Sequence, residues 1–373
     1  MPCRSLAEQA RQGPSRLPGI VLWAELRFLK LADFTNNIIT YEKSSVHNML
    51  LAENALNLSM ESNHSVQRPE EEWINSSEQK RYKASQLKTS NFSTFYVYIS
   101  AIDVAPPAAP AWSYEGEEGP ENWATLFPNY CAGSSQSPIA LNGLEATAKS
   151  SSDAWVLDKY DTVPTDLKIE NNGHSAKVAW TITDVAELPS VRGGELGGQY
   201  TFAQFHFHWG SVSTQGSEHT INGIAYAAEL HLVHFKTEYG SLTEAVAHND
   251  GLAVLGVMLL GGLVDNPKLT PIIDGLATIT NAETEEHLAT MLPLQDLLPP
   301  DTNTFYRYSG SLTTPTCNEV VTWTVFKEPI SISETQLEEF RKLLGEDGQH
   351  HIVDNFRPVQ HLNGRTVEKI TLS

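Results

Sequence analysis

The sequence predicts a large, mainly β (α+β) domain with a few short peripheral helices, preceded by an extension of separate character. Three observations carry this. Downstream of Trp112 the chain reads as short apolar runs separated by Gly, Pro and Asn, as strands and turns do. Hydrophobic residues make up 40% and charged residues 19% of the 373-residue chain, enough apolar material for a sizeable core. The Pro/Ala-rich segment 103–111 marks a change of composition and should be stiff and extended. Residues 1–105 are therefore expected to be an N-terminal extension, poorly ordered or processed, and residues 106–373 the main folded domain.

Strands are expected at Leu167–Glu170, Lys177–Ile182, Phe202–Trp209, Ala225–Phe235, Ala253–Leu260 and Val320–Phe326. One helix is expected to start at Ser333. Its hydroxyl and Gln336 form a capping-box pattern, Leu337, Phe340, Leu343 and Leu344 form a stripe, and Gly345 closes it. Shorter helices are expected at Leu242–Ala247 and Pro271–Thr278.

In the extension, Leu17–Phe34 is broken by Glu25, Arg27 and Lys30 and reads as an amphipathic helix rather than a signal-peptide core. Four glycosylation sequons start at Asn57, Asn63, Asn75 and Asn91; chance in Asn/Ser-rich sequence accounts for them equally well. Phe95–Val104 is short and apolar and reads either as an internal signal-like segment or as a buried strand. No run of about 20 apolar residues occurs, so no membrane span is expected. The net charge of −20 argues against nucleic acid as a partner. The three cysteines, Cys3, Cys131 and Cys317, admit one pair plus a spare or three free thiols.

The strongest chemical signal is Gln204-Phe-His-Phe-His-Trp209. On a strand, Gln204, His206 and His208 share one face and Phe205, Phe207 and Trp209 the other. In Ala227-Ala-Glu-Leu-His-Leu-Val-His234 the same alternation groups Glu229, His231 and Val233, with His234 on the opposite, core side. If the two strands are neighbours, three imidazoles converge with one coordination position open, as in a catalytic zinc site. Gln204 and Glu229 each stand two residues before a proposed ligand, placed to accept its second ring N–H. A buried Glu on an apolar strand needs such a partner.

These runs, with Gly216-Ser-Glu-His-Thr220, Gly310-Ser-Leu-Thr-Thr-Pro315 and Asp354-Asn-Phe-Arg-Pro358, resemble the signature of the alpha-class carbonic anhydrases, of the secreted type. Gln136-Ser-Pro138 and Asn171-Asn-Gly-His174 follow in the same order, and the likeness runs from Trp112 to Val367.

The resemblance implies a twisted, mostly antiparallel central sheet and a Zn2+ cofactor. It also implies reversible hydration of carbon dioxide to bicarbonate and a proton by zinc-hydroxide attack, with an ester-hydrolysing side activity. It implies that His206, His208 and His231 hold the metal, with Gln204, Glu229, His219 and Asn355 supporting them. Thr313 and Glu218 would orient the nucleophile, and Thr314 would hold bicarbonate. Val233, Val254, Leu312, Val321 and Trp323 would receive carbon dioxide, a small apolar substrate suited to a dry wall. His174 would shuttle the proton, with Tyr114 and Asn172 ordering water. Lys177 departs from the smaller polar residue of fast members, and a cation there would disturb that water or depress the pKa of His174. Cys131 and Cys317 match a disulfide pair, which implies an oxidising, extracellular location. Physiological role and oligomeric state are not implied.

Overall fold

The computed structural model describes residues 110–182 and 184–373, and the backbone of three strands nearer the N-terminus. Residues 1–109 and 110–373 form two compact units. In the first, Ile38–Tyr41, Arg81–Leu87 and Tyr96–Ile102 make a three-stranded antiparallel sheet. The apolar run 95–104 is thus a strand over most of its length. Cys3, the stretch 17–34 and the four sequons lie outside the described residues.

The second unit is organised on a thirteen-stranded mixed sheet. Its main path uses, in chain order, β1 (Thr147–Ser151), β2 (Leu167–Asn171), β3 (Ala176–Trp180), β4 (Tyr200–Trp209) and β5 (Ala228–Lys236). It continues with β6 (Leu252–Gly262), β7 (Thr284–His287), β8 (Thr304–Gly310), β9 (Val321–Phe326) and β10 (Glu368–Leu372). Across the sheet the order is β7-β2-β3-β4-β5-β6-β9-β8-β10-β1. The β6–β9 and β10–β1 pairings are parallel; the other junctions of this path are antiparallel.

The strands form where the apolar runs stand. β5 and β6 lie at the centre, with every residue of β5 up to Phe235 buried, which is why their sequences are nearly continuous apolar runs. The sheet separates two cores. One holds Phe205, Phe207, Trp209, Leu230 and Leu232. The other holds Val233, Val254, Val321 and Trp323, with Leu312 packed against it.

The helices are short, at Trp123–Leu126, Leu242–Ala245, Thr270–Leu276 and Glu334–Phe340. Ser333 caps the last, its hydroxyl accepting from Gln336 N at 3.0 Å while the Gln336 amide oxygen accepts from Ser333 N. The expected extension of this helix to Gly345 is not observed. After Phe340 the chain tightens into a turn that buries Leu343, and Leu344 N donates to Thr280 O, so tertiary pairing ends the helix early.

Candidate metal centre

β4 and β5 are antiparallel neighbours, and His206 stands directly opposite His231, as His208 does opposite Glu229. An irregularity between Phe202 and Gln204 sets this register and turns Gln204, His206 and His208 toward the face that carries Val233. One imidazole nitrogen from each of His206, His208 and His231 falls within 4.8 Å of the other two. These residues could hold a metal ion.

The remaining ring nitrogens are occupied. His206 Nδ1 lies 3.0 Å from Gln204 Oε1, His208 Nδ1 donates to the Asn355 carbonyl at 2.8 Å, and His231 Nε2 lies 2.9 Å from Glu229 Oε1. Each ring therefore turns its other nitrogen, Nε2 of His206 and His208 and Nδ1 of His231, toward the shared space. His208 Nε2 is buried with no hydrogen-bond partner. An orphaned buried nitrogen of this kind fits a metal ligand, because a buried polar atom otherwise carries a cost of about 1–3 kcal/mol. Burial first, then the neighbouring His208 and His231 rings, holds His206 well below the usual imidazole range, and burial also lowers His208. Neutral imidazole is the ligating form.

Glu229 also accepts from His219, from the backbone N–H at 2.8 Å and from Nδ1 at 2.7 Å; His219 Nε2 lies 2.7 Å from the Tyr308 hydroxyl. Burial alone would raise the Glu229 carboxyl, but His219 and His231 beside it hold it below the usual carboxylate range. The result is a buried chain from His231 through Glu229 and His219 to Tyr308. His219 is thereby committed to Glu229.

Glu218 Oε1 accepts from Arg357 N at 2.8 Å. Its Oε2 is buried without a hydrogen-bond partner, 3.5 Å from His208 Nε2 and 3.9 Å from His231 Nδ1. Thr313 is buried and Thr314 half-buried on the loop after β8. Among the described residues no hydrogen bond joins Thr313 to Glu218. Trp323 packs its ring 4.8 Å from both His219 and His231 and anchors the apolar wall. His234 points to the other core, where it meets the Tyr160 hydroxyl at 2.5 Å.

His174 lies on the turn between β2 and β3. Asn172 Oδ1 accepts from His174 N and Ser175 N at 3.1 and 2.8 Å, and Asn355 Nδ2 donates to the His174 carbonyl at 2.9 Å. Its ring stacks on Trp112 at 3.8 Å. Burial lowers the His174 pKa, while Glu346 and Glu283 oppose this. Lys177 is not a cause of that lowering: its ammonium pairs with Glu170 at 2.5 Å, and its field falls on His206, its register partner. The expected depression of His174 by Lys177 is corrected accordingly. Tyr114 packs between Trp112 and Trp123, its hydroxyl buried without a partner and its pKa raised by burial and then by Glu218.

Cys131 and Cys317 are joined by a disulfide, with Cα atoms 4.9 Å apart. Sequence reasoning missed Tyr308, Arg357, Trp112 and Glu346. Arg357 stood in a recognised motif, and its guanidinium donates to Gln136 Oε1 and the Ser137 carbonyl at 2.9 and 2.8 Å, tying two motifs together. For Tyr308 and Glu346 no sequence signal existed.

Three oriented imidazoles, two buried and that of His206 half-buried, beside an apolar wall on a large, mostly β sheet define a scaffold that could hold one catalytic metal ion. The family model for eukaryotic-type carbonic anhydrases matches residues 118–371. The chain is 41% identical to carbonic anhydrase 7 of Mus musculus over 261 residues, covering 69% of this chain and 96% of that protein. Carbonic anhydrase 7 of Homo sapiens is 40% identical over the same coverage. The chain belongs to the eukaryotic-type, alpha-class carbonic anhydrases, and it is an enzyme of carbon dioxide hydration.

Proposed function

We propose that residues 106–373 form a zinc-dependent carbonic anhydrase that exports its product proton through His174. The observation that carries this reading is the trio His206, His208 and His231, each with its outer ring nitrogen tied and its inner one turned to a common point. Zinc held there supplies the chemistry by acidifying a water molecule at neutral pH.

The protein's own residues do the rest. Glu229, Gln204 and the Asn355 carbonyl fix which ring nitrogen each histidine offers. Val233, Val254, Leu312, Val321 and Trp323 give carbon dioxide a dry surface that water does not contest. The Thr313 hydroxyl directs attack, and Glu218 Oε2, buried and without a partner, is the acceptor at hand for it. Thr314 holds the bicarbonate product. His174 carries a proton at neutral pH because imidazole titrates there. Asn172 fixes the His174 turn, and Tyr114 lines the water path.

The Cys131–Cys317 disulfide supports an oxidising compartment, and we read the chain as secreted. Residues 1–105 are an extension outside the catalytic unit. No helix among the described residues is long and apolar enough to cross a membrane.

The test compares zinc content, carbon dioxide hydration and ester hydrolysis in the full chain and in His231→Ala. Loss of zinc and hydration together in the variant supports the reading. Ester hydrolysis with negligible hydration in the native chain overturns it.

A further inference from the structure

The turn that carries His174 has a second neighbour of unlike charge. His174 Nε2 lies 3.2 Å from Glu346 Oε1. Glu346 reaches it because Gly173, at φ +81°, has no side chain: a Cβ there would stand 2.6 Å from Glu346 Cγ. Glu346 itself sits in a closed turn. Gly345 N donates to His350 O, Gly348 N donates to Gly345 O, and Asp347 Oδ1 accepts from Gln349 N and His350 N. Trp112 covers the ring face. His174 is thus held at one edge by a carboxylate and on one face by an indole.

Resting on the reading of His174 as the proton carrier, the geometry points to Glu346 as a positioning residue. Its negative charge beside Nε2, without an aligned hydrogen bond, disfavours a bare lone pair at that nitrogen, keeps the hydrogen of neutral His174 there and leaves Nδ1 as the atom that takes up the proton. The step balances simply. An N–H bond forms at Nδ1 as a water O–H bond breaks, giving an imidazolium whose Nε2–H still faces the Glu346 carboxylate. Buffer then removes the Nδ1 proton and the starting tautomer is restored without a ring flip. A proton carrier free at both nitrogens would need no such partner.

The charged groups that act on His174 are Glu346 and Glu283, both favouring the imidazolium against the effect of burial. Nearby Lys177 is paired with Glu170, and Asp347 with His350, so neither replaces Glu346.

The experiment uses the full zinc-loaded chain with 15N-labelled histidine, and Glu346→Ala beside Glu346→Gln. In the native chain NMR should report the Nε2-protonated tautomer of His174. Glu346→Ala should lose that preference and bind the imidazole proton about threefold more weakly, the scale of a part-exposed ion pair. Glu346→Gln keeps the size and removes the charge, so it should lose the tautomer preference and the proton affinity as Glu346→Ala does. In dilute buffer kcat for Glu346→Ala should fall about two- to fivefold with kcat/KM unchanged, and imidazole should restore it. An unchanged tautomer and titration midpoint in Glu346→Ala would overturn the assignment. His174→Ala is the separate control: unimpaired turnover there removes the proton-carrier reading itself, whatever Glu346 does to the ring.

Discussion

The Glu229 carboxylate is 2.9 Å from His231 Nε2, and both side chains are buried in the centre of the sheet. The same oxygen accepts from His219, so the orientation of a metal-facing ring is fixed by a carboxylate that is itself anchored. Replacing Glu229 by Gln leaves the shape and removes the charge. Metal affinity should fall about 10–100-fold, read by competition with a chelator of known affinity.

Thr313→Ala should leave metal affinity intact, because Thr313 contacts none of the three imidazoles through a hydrogen bond. Hydration should nonetheless slow about 100-fold, the scale set by losing the direction of attack. Equal losses in metal binding and rate would assign Thr313 a structural role instead.

His234 predicts an acid-side stability loss unconnected with the metal. It is fully buried, and burial pushes its pKa down from 6.5 to about 4. The neutral ring accepts from the Tyr160 hydroxyl at Nε2 and donates from Nδ1 to the Ala253 carbonyl at 3.3 Å. Because the unfolded chain takes up this proton first, stability falls as pH drops from about 6.5 to about 4, by about 3 kcal/mol in all. Urea midpoints measured across that window should fall less steeply in His234→Gln than in the native chain.

The Cys131–Cys317 bridge spans 186 residues. Constraining so long a loop in the unfolded chain is worth about 5 kcal/mol on the chain-entropy account. The double variant Cys131→Ser with Cys317→Ser should lose that much unfolding free energy, read as a lower urea midpoint. An unchanged midpoint would contradict it.

Much of the centre was legible because strands repeat with period two. The pattern Gln204, His206, His208 against Glu229, His231, Val233 needed only adjacency to bring the imidazoles together, and β4 and β5 are adjacent. What alternation could not supply were partners far along the chain. His208 is oriented by the backbone carbonyl of Asn355, an atom that no residue type announces. Tyr308 reaches His219, and Arg357 reaches Glu218, from distant strands and loops. Lys177 was read toward His174 from its departure from the family pattern, whereas Glu170, across the β2–β3 pairing, takes its ammonium. The helix after Ser333 ended partway along its apolar stripe, at Phe340, because Leu344 found a partner in Thr280.

The most direct test of the central claim is stopped-flow carbon dioxide hydration by the full chain after chelation and again after one equivalent of zinc. The trio of His206, His208 and His231 predicts no hydration in the stripped protein and full recovery at a single equivalent. Hydration that survives complete removal of metal, or a chain that binds one zinc through these histidines and hydrates no carbon dioxide, would contradict it.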